Sequence, residues 1–206
     1  MPCPRNLPFT LALFARNGRE YSGTQEEGGA GMIAYVLVRD ANPDFVTKLR
    51  ALKRPEVEAC GTLTGAGTPP YRAFVKVQVA DVPALQAFSA VLTGAGAKDF
   101  DSFTTSEPPT SAPKITSPVP GETVAGLLLA GVPGAKAAGY ISCARGRAHV
   151  HGTAVLTPVD GTPQCNTAVV VWGTQRSDLA SVAQDVRTNC GMAAGAMFLP
   201  LLVFIN

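Results

Sequence analysis

The chain has 206 residues, enough for one large domain or two small ones, and its charged residues amount to only 16%, below the roughly 25% of an average globular protein. Net charge is +2, and no basic run exceeds the pair Lys53 and Arg54, so the clustered cationic face that displaces counterions from a nucleic-acid duplex is absent from the sequence. High glycine and proline (21 and 17) point to a turn-rich fold whose polar work falls to few residues.

In chain order, residues 1–31 read as an N-terminal extension, polar and glycine-rich over "TQEEGGAG". The short apolar "LPFTLALFA" is followed by polar, acidic residues and not by a cleavage site, so it does not read as a secretory leader. From Met32, "MIAYVLVR" has the β-branched, apolar look of a buried strand. "ANPDFVTKLRAL" predicts a helix, with Asn42 as its cap, Pro43 in the first turn and Phe45, Leu49 and Leu52 on one face. "VEACGTLTG" is a second strand.

"YRAFVKVQV" alternates, with Ala73, Val75, Val77 and Val79 on one face against Lys76 and Gln78, and so predicts a half-solvated strand. Asp81 caps the helix that follows, where Leu85, Phe88 and Leu92 recur at helical spacing. "AKDFDSFTTS" closes the unit as a strand. The resulting order, β-α-β-β-α-β, is that of the ferredoxin-like motif.

Residues 107–120, with prolines at 108, 109, 113, 118 and 120, read as a linker, and residues 121–206 as a second α+β unit. At a constant offset of 94, Val169, Val171, Leu179, Val182 and Val186 match Val75, Val77, Leu85, Phe88 and Leu92, which suggests an internal repeat. In this half "ETVAGLLLAGV" predicts a first helix, "AAGYISCARGRAHVHGTAVL" a hairpin turning near Gly146, and "PKITSPV" a possible first strand. The apolar end "MAAGAMFLPLLVFIN" is too short for a membrane span and reads as a buried last strand. Five cysteines without a close-spaced pair suggest reduced structural thiols in a cytoplasmic protein.

Few motifs carry chemistry. His149 and His151 in "HVH" would share one face of a strand, and zinc would need further ligands that Cys143 or Cys165 could bring only through the fold; an exposed strand is the simpler reading, and no metal or other cofactor is assigned. The two "GAG" stretches lack a phosphate-loop pattern and read as a turn and a helix cap. Trp172 reads as core or subunit interface.

Across residues 32–105, "MIAYVLVR", "PEVEACGTLTG", "YRAFVKVQVADVPALQAF" and "AKDFDSFTT" together resemble the effector-binding (RAM) domain of the Lrp/AsnC family, in its stand-alone form without a helix-turn-helix. The resemblance implies a ferredoxin-like domain over 32–106 that pairs sheet to sheet in a dimeric α/β barrel, forms homo-oligomers and binds an amino acid or a similar effector. It places the ligand against Thr64, Gly65, Tyr71 and Arg72 at the turn after the second strand and Thr104 or Thr105 on the last. Arg72 stands where the family has an aspartate, which suits a carboxylate better than an amine. A duplicated unit would pair its two halves within one chain. The competing expectation is an enzyme on the same architecture, a monooxygenase, isomerase or haem-dependent protein, with His149, His151 or Tyr140 as candidates.

Overall fold

In a computed structural model the described residues are 31–64, 70–105, 115, 119–160, 164–191 and 197–205. They are α+β, and the order β-α-β-β-α-β occurs twice. The first set is β1 (Met32–Ala41), α1 (Phe45–Ala51), β2 (Val57–Leu63), β3 (Ala73–Val79), α2 (Val82–Ala95) and β4 (Ala97–Thr105). The second is β5 (Val124–Ala130), α3 (Gly134–Arg145), β6 (Val150–Pro158), β7 (Thr167–Gly173), α4 (Arg176–Cys190) and β8 (Met197–Ile205).

The eight strands form one closed barrel in the order β1-β3-β2-β8-β5-β7-β6-β4, every neighbouring pair antiparallel. Closure depends on two seams between the halves. β2 pairs with β8 from Ala59↔Ile205 to Leu63↔Leu201, and β4 pairs with β6 from Phe103↔Pro158 to Thr105↔Leu156. Among the described residues these contacts leave no strand of the barrel with an unpaired side.

Alternation then sorts the side chains into three apolar clusters. Ile33, Tyr35 and Leu37 of β1, Phe74 of β3, Leu127 and Leu129 of β5 and Val170 and Trp172 of β7 belong to a cluster that contains no helical residue and therefore fills the barrel. The opposite parity, Val75 and Val77, meets Phe45, Leu49, Leu85, Phe88 and Leu92 of α1 and α2, while Val169 and Val171 meet Tyr140, Ile141, Leu179, Val182 and Val186 of α3 and α4. All five residue pairs matched at the offset of 94 thus fall in the corresponding cluster between sheet and helices of their half.

Asp81 caps α2 as expected, its Oδ1 accepting from the Ala84 N–H at 2.8 Å. Elsewhere the structure corrects the sequence reading. α1 starts two residues later than "ANP" suggested, with Asp44 as its N-cap and no side-chain capping bond, because Asn42 is held by its N–H on the carbonyl of Gly96, just before β4. β3 is not half solvated: the face bearing Lys76 looks into the barrel, and the buried Lys76 ammonium is ion-paired with Glu58. "VAGLLLA" is a strand where a helix was expected; lying between β7 and β8 it is buried on both faces, so it shows a continuous apolar run without the alternation that identifies a strand.

The predicted hairpin around Gly146 is instead α3 followed by β6. Small residues, Ala137 and Ala144 among them, bury the helix and give it almost no pattern to read. "PKITSPV" falls largely outside the described residues, as do nearly all of the extension and most of the proline-rich segment; Ile115 alone of that stretch is described and buried.

The expectation of reduced thiols also fails for one pair. Cys143 and Cys190 form a disulfide across 47 residues, tying the end of α3 to the end of α4, whereas Cys60 and Cys165 are free and buried. Nothing in the local sequence could show this, since the two helices become neighbours only when the sheet is formed. No described helix is long and apolar enough to cross a membrane.

A loop of 47 residues closed by a disulfide removes about 4 kcal/mol of chain entropy from the unfolded state. Cys143→Ser should therefore lower the urea midpoint substantially, and adding reductant to the wild-type chain should reproduce the loss. Leu127→Ala, which opens a void in the filled barrel, should cost about 2–5 kcal/mol by the same measurement.

Candidate functional site

β1, β2, β5 and β6 run one way around the barrel and β3, β4, β7 and β8 the other, so the connections divide between two ends. Polar side chains converge at each. The first end holds the finish of β1 and the residues just before β3 and β7. Here Asp101 is fully buried, its Oδ2 accepts from the Tyr71 hydroxyl at 2.8 Å and from the Arg39 guanidinium, and its Oδ1 has no hydrogen-bond partner. The Arg39 guanidinium also lies 5.8 Å from the centre of the Tyr71 ring. Gln164 donates its N–H to the Tyr71 oxygen at 3.5 Å, which brings the second half of the chain to the same group.

Burial, reinforced by the hydrogen bond to Asp101, raises the Tyr71 phenol above its ordinary value. Desolvation likewise pushes the Cys165 thiol up to about 12, Cys60 to about 11 and Tyr140 to about 12.

The expected ligand residues do not stay together. Tyr71 is wholly buried in this cluster, and Thr64, at the end of β2, has a buried Oγ1 without a hydrogen-bond partner. Gly65 lies outside the described residues. Arg72 is exposed and contributes its backbone, donating to the Val38 carbonyl at 2.7 Å; the guanidinium that reaches the buried cluster is that of Arg39. Thr104 and Thr105 stand at the far end of β4, where their hydroxyls meet the Thr157 carbonyl at 3.5 Å and the Ile33 carbonyl at 3.3 Å. Asp101 escaped the sequence reading, although its parity with the inward Phe103 was a usable sign.

The opposite end carries the starts of β5 and β6. Glu122 precedes β5, just after the left-handed Gly121 (φ 92°), and is fixed to the end of β7 by the following residue, whose N–H binds the Gly173 carbonyl at 3.0 Å. His149 precedes β6 with φ 62°, a left-handed conformation that is uncommon outside glycine and costs on the order of 1–3 kcal/mol. Its carbonyl is held by the Trp172 N–H at 3.0 Å, and a register shift between Val150 and Gly152 marks a bulge containing His151.

The result is two imidazoles on one carboxylate. His149 Nδ1 is 2.8 Å from Glu122 Oε1, and His151 Nε2 is 3.0 Å from Oε2. The Glu122 side chain is 6% exposed and that of His149 57%, so a buried acid is presented to solvent through an imidazole. A pocket of about 350 Å³ opens beside them, lined by Glu122, His149, Thr174, Asp178 and Ser181 among others. Asp178 is already engaged at the start of α4: the Thr174 hydroxyl at 2.6 Å, with the Gln175 and Thr174 N–H groups at 3.0 Å, donates to its carboxyl and holds it below the usual range. "HVH" was visible in the sequence. Glu122, 27 residues earlier, was not, because its segment read as the start of a helix.

No family model and no curated protein matches this chain. Solved structures do. The siroheme decarboxylase NirDL is similar with a TM-score of 0.60 at 9% identity, over 82% of this chain and 70% of that one. A chlorite dismutase mutant from Candidatus Nitrospira defluvii is similar at 0.49 and 9% identity, over 84% and 92%. At such identity the first of these likenesses shows a shared α+β fold and nothing further.

The raised thiols and phenols fix one pH dependence. Each holds its proton more tightly when folded, so the unfolded chain releases protons first as pH rises. Stability should be full below about pH 9, the ordinary thiol value, and should fall progressively from there toward pH 12. Melting temperature recorded from pH 7 to 11 checks this; a flat profile above pH 9 would contradict it.

Proposed function

We propose that the chain is an enzyme acting on a small polar molecule, built as two ferredoxin-like units that close a dimeric-α/β-barrel arrangement within one polypeptide. The observation that carries this reading is the convergence of His149 and His151 on the buried Glu122 beside a pocket of small-molecule size. A carboxylate that orients an imidazole at the edge of a pocket is the arrangement general acid–base chemistry needs, since it fixes the ring and stabilises its charged form. Strain at His149 and a bulge at His151 further support a working site, because such features persist where the surroundings impose them.

A second reading, effector binding in the manner of an Lrp/AsnC domain, is favoured by one observation at the other end: Thr64 and Tyr71 both lie there, and Thr64 Oγ1 and Asp101 Oδ1 are buried without partners. Such atoms are costly to leave unpaired and would gain from a polar ligand. On that reading Arg39, and not Arg72, supplies the cation. The Cys143–Cys190 bond favours an oxidising compartment over the expected cytoplasm.

Purified chain screened against metabolite mixtures, with product detection by mass spectrometry and binding by thermal shift, separates the two. An enzyme at the histidine end should lose turnover at least about 100-fold in His149→Ala and in Glu122→Gln with little change in melting temperature for the exposed His149. Thermal shifts without turnover, abolished by Asp101→Asn and untouched by His149→Ala, would establish the effector reading instead.

A further inference from the structure

We infer that Glu122, His149 and His151 hold a divalent transition-metal ion, of the kind zinc or iron(II) represents, with a coordination position open toward the adjacent pocket. This rests on the enzyme reading for its use, but its geometry stands independently. One donor atom from each residue lies within 4.8 Å of the other two, close enough for a single ion to collect all three. Two imidazoles and one carboxylate form the donor set that binds catalytic zinc and non-haem iron(II), and three protein ligands leave room for water or substrate.

Two of the three residues leave a buried polar atom unmatched. His151 Nε2 and Glu122 Oε2 are 3.0 Å apart, yet both are buried and neither makes an aligned hydrogen bond. The Glu122 side chain is more than nine-tenths buried, and no described lysine or arginine is ion-paired with it. A buried polar atom left without a partner is costly in such a low-dielectric site. A divalent cation between the three would satisfy both orphaned atoms at once.

The backbone is shaped to the same end. In a regular strand, residues two apart share a face but keep their spacing along it. Here the left-handed turn at His149 and the bulge at His151 draw both rings onto one carboxylate from the segment before β5. Thr174 and Ser181 line the pocket beyond, so a ligand supplying an oxygen to the ion would find hydroxyl partners there.

The full chain, stripped with chelator and titrated with Zn²⁺ by calorimetry, should bind one equivalent. Co²⁺ substituted at the same site should give visible d–d absorption. Glu122→Gln and His149→Ala should each weaken Zn²⁺ binding more than about 100-fold and remove the cobalt bands. Since Glu122→Gln alters a buried group, His149→Ala on an exposed ring serves as the variant that keeps the fold, checked by circular dichroism. Sub-stoichiometric binding, or full binding retained in both variants, would overturn the proposal. Stoichiometric metal with no turnover on any substrate would uphold the site while removing the enzymatic reading above.

Discussion

The two seams, β2 with β8 and β4 with β6, are the constraint on which the molecule depends. Each half contributes a four-stranded sheet with helices on one face only. Left alone, the other face would expose Tyr35, Leu37, Phe74 and Phe103 in one half, or Leu127, Leu129, Val170 and Trp172 in the other. Closing the sheet on itself buries both at once and removes the edges that would recruit further strands. The low proportion of charged residues follows directly, because sheet residues of both parities are covered, one set by helices and the other by the barrel.

Closure also explains where the polar groups lie. A filled barrel has no room for unpaired charge along its length, so Lys76 takes Glu58 with it, and the remaining ionic groups collect at the ends. At one end an aspartate is held by a phenol and a guanidinium; at the other a glutamate meets one imidazole in a hydrogen bond and a second at 3.0 Å. The first set draws on strands of the N-terminal half with one contact from the C-terminal half, and the second belongs wholly to the C-terminal half.

Much of the first half was legible in the sequence because its strands and helices obey local rules. Asp81, the period-two run of β3 and the helical spacing of Leu85, Phe88 and Leu92 each state their structure within a few residues. The second half was less so. β5 hides its alternation by being buried on both sides, and α3, built from alanine and glycine, hides its amphipathic face. The candidate site was half legible: "HVH" can be read directly, whereas Glu122 joins it only through the pairing of β5, β7 and β6. Lys76 shows the same limit, since a lysine on an alternating strand signals solvent unless the reader knows that the sheet closes.

Sealing the barrel within a single polypeptide has a genetic consequence. Where two identical chains form such a barrel, every substitution appears twice, at places related by symmetry. Here Tyr71 and Cys165 sit at the offset of 94 that relates the halves, yet one is a phenol on a buried acid and the other a free thiol. Lys76 and Val170 stand in the same relation inside the barrel. Each half of one end can therefore be altered without a matching change in the other half, so a fold of twofold outline can carry two chemically different groups at equivalent places around one mouth.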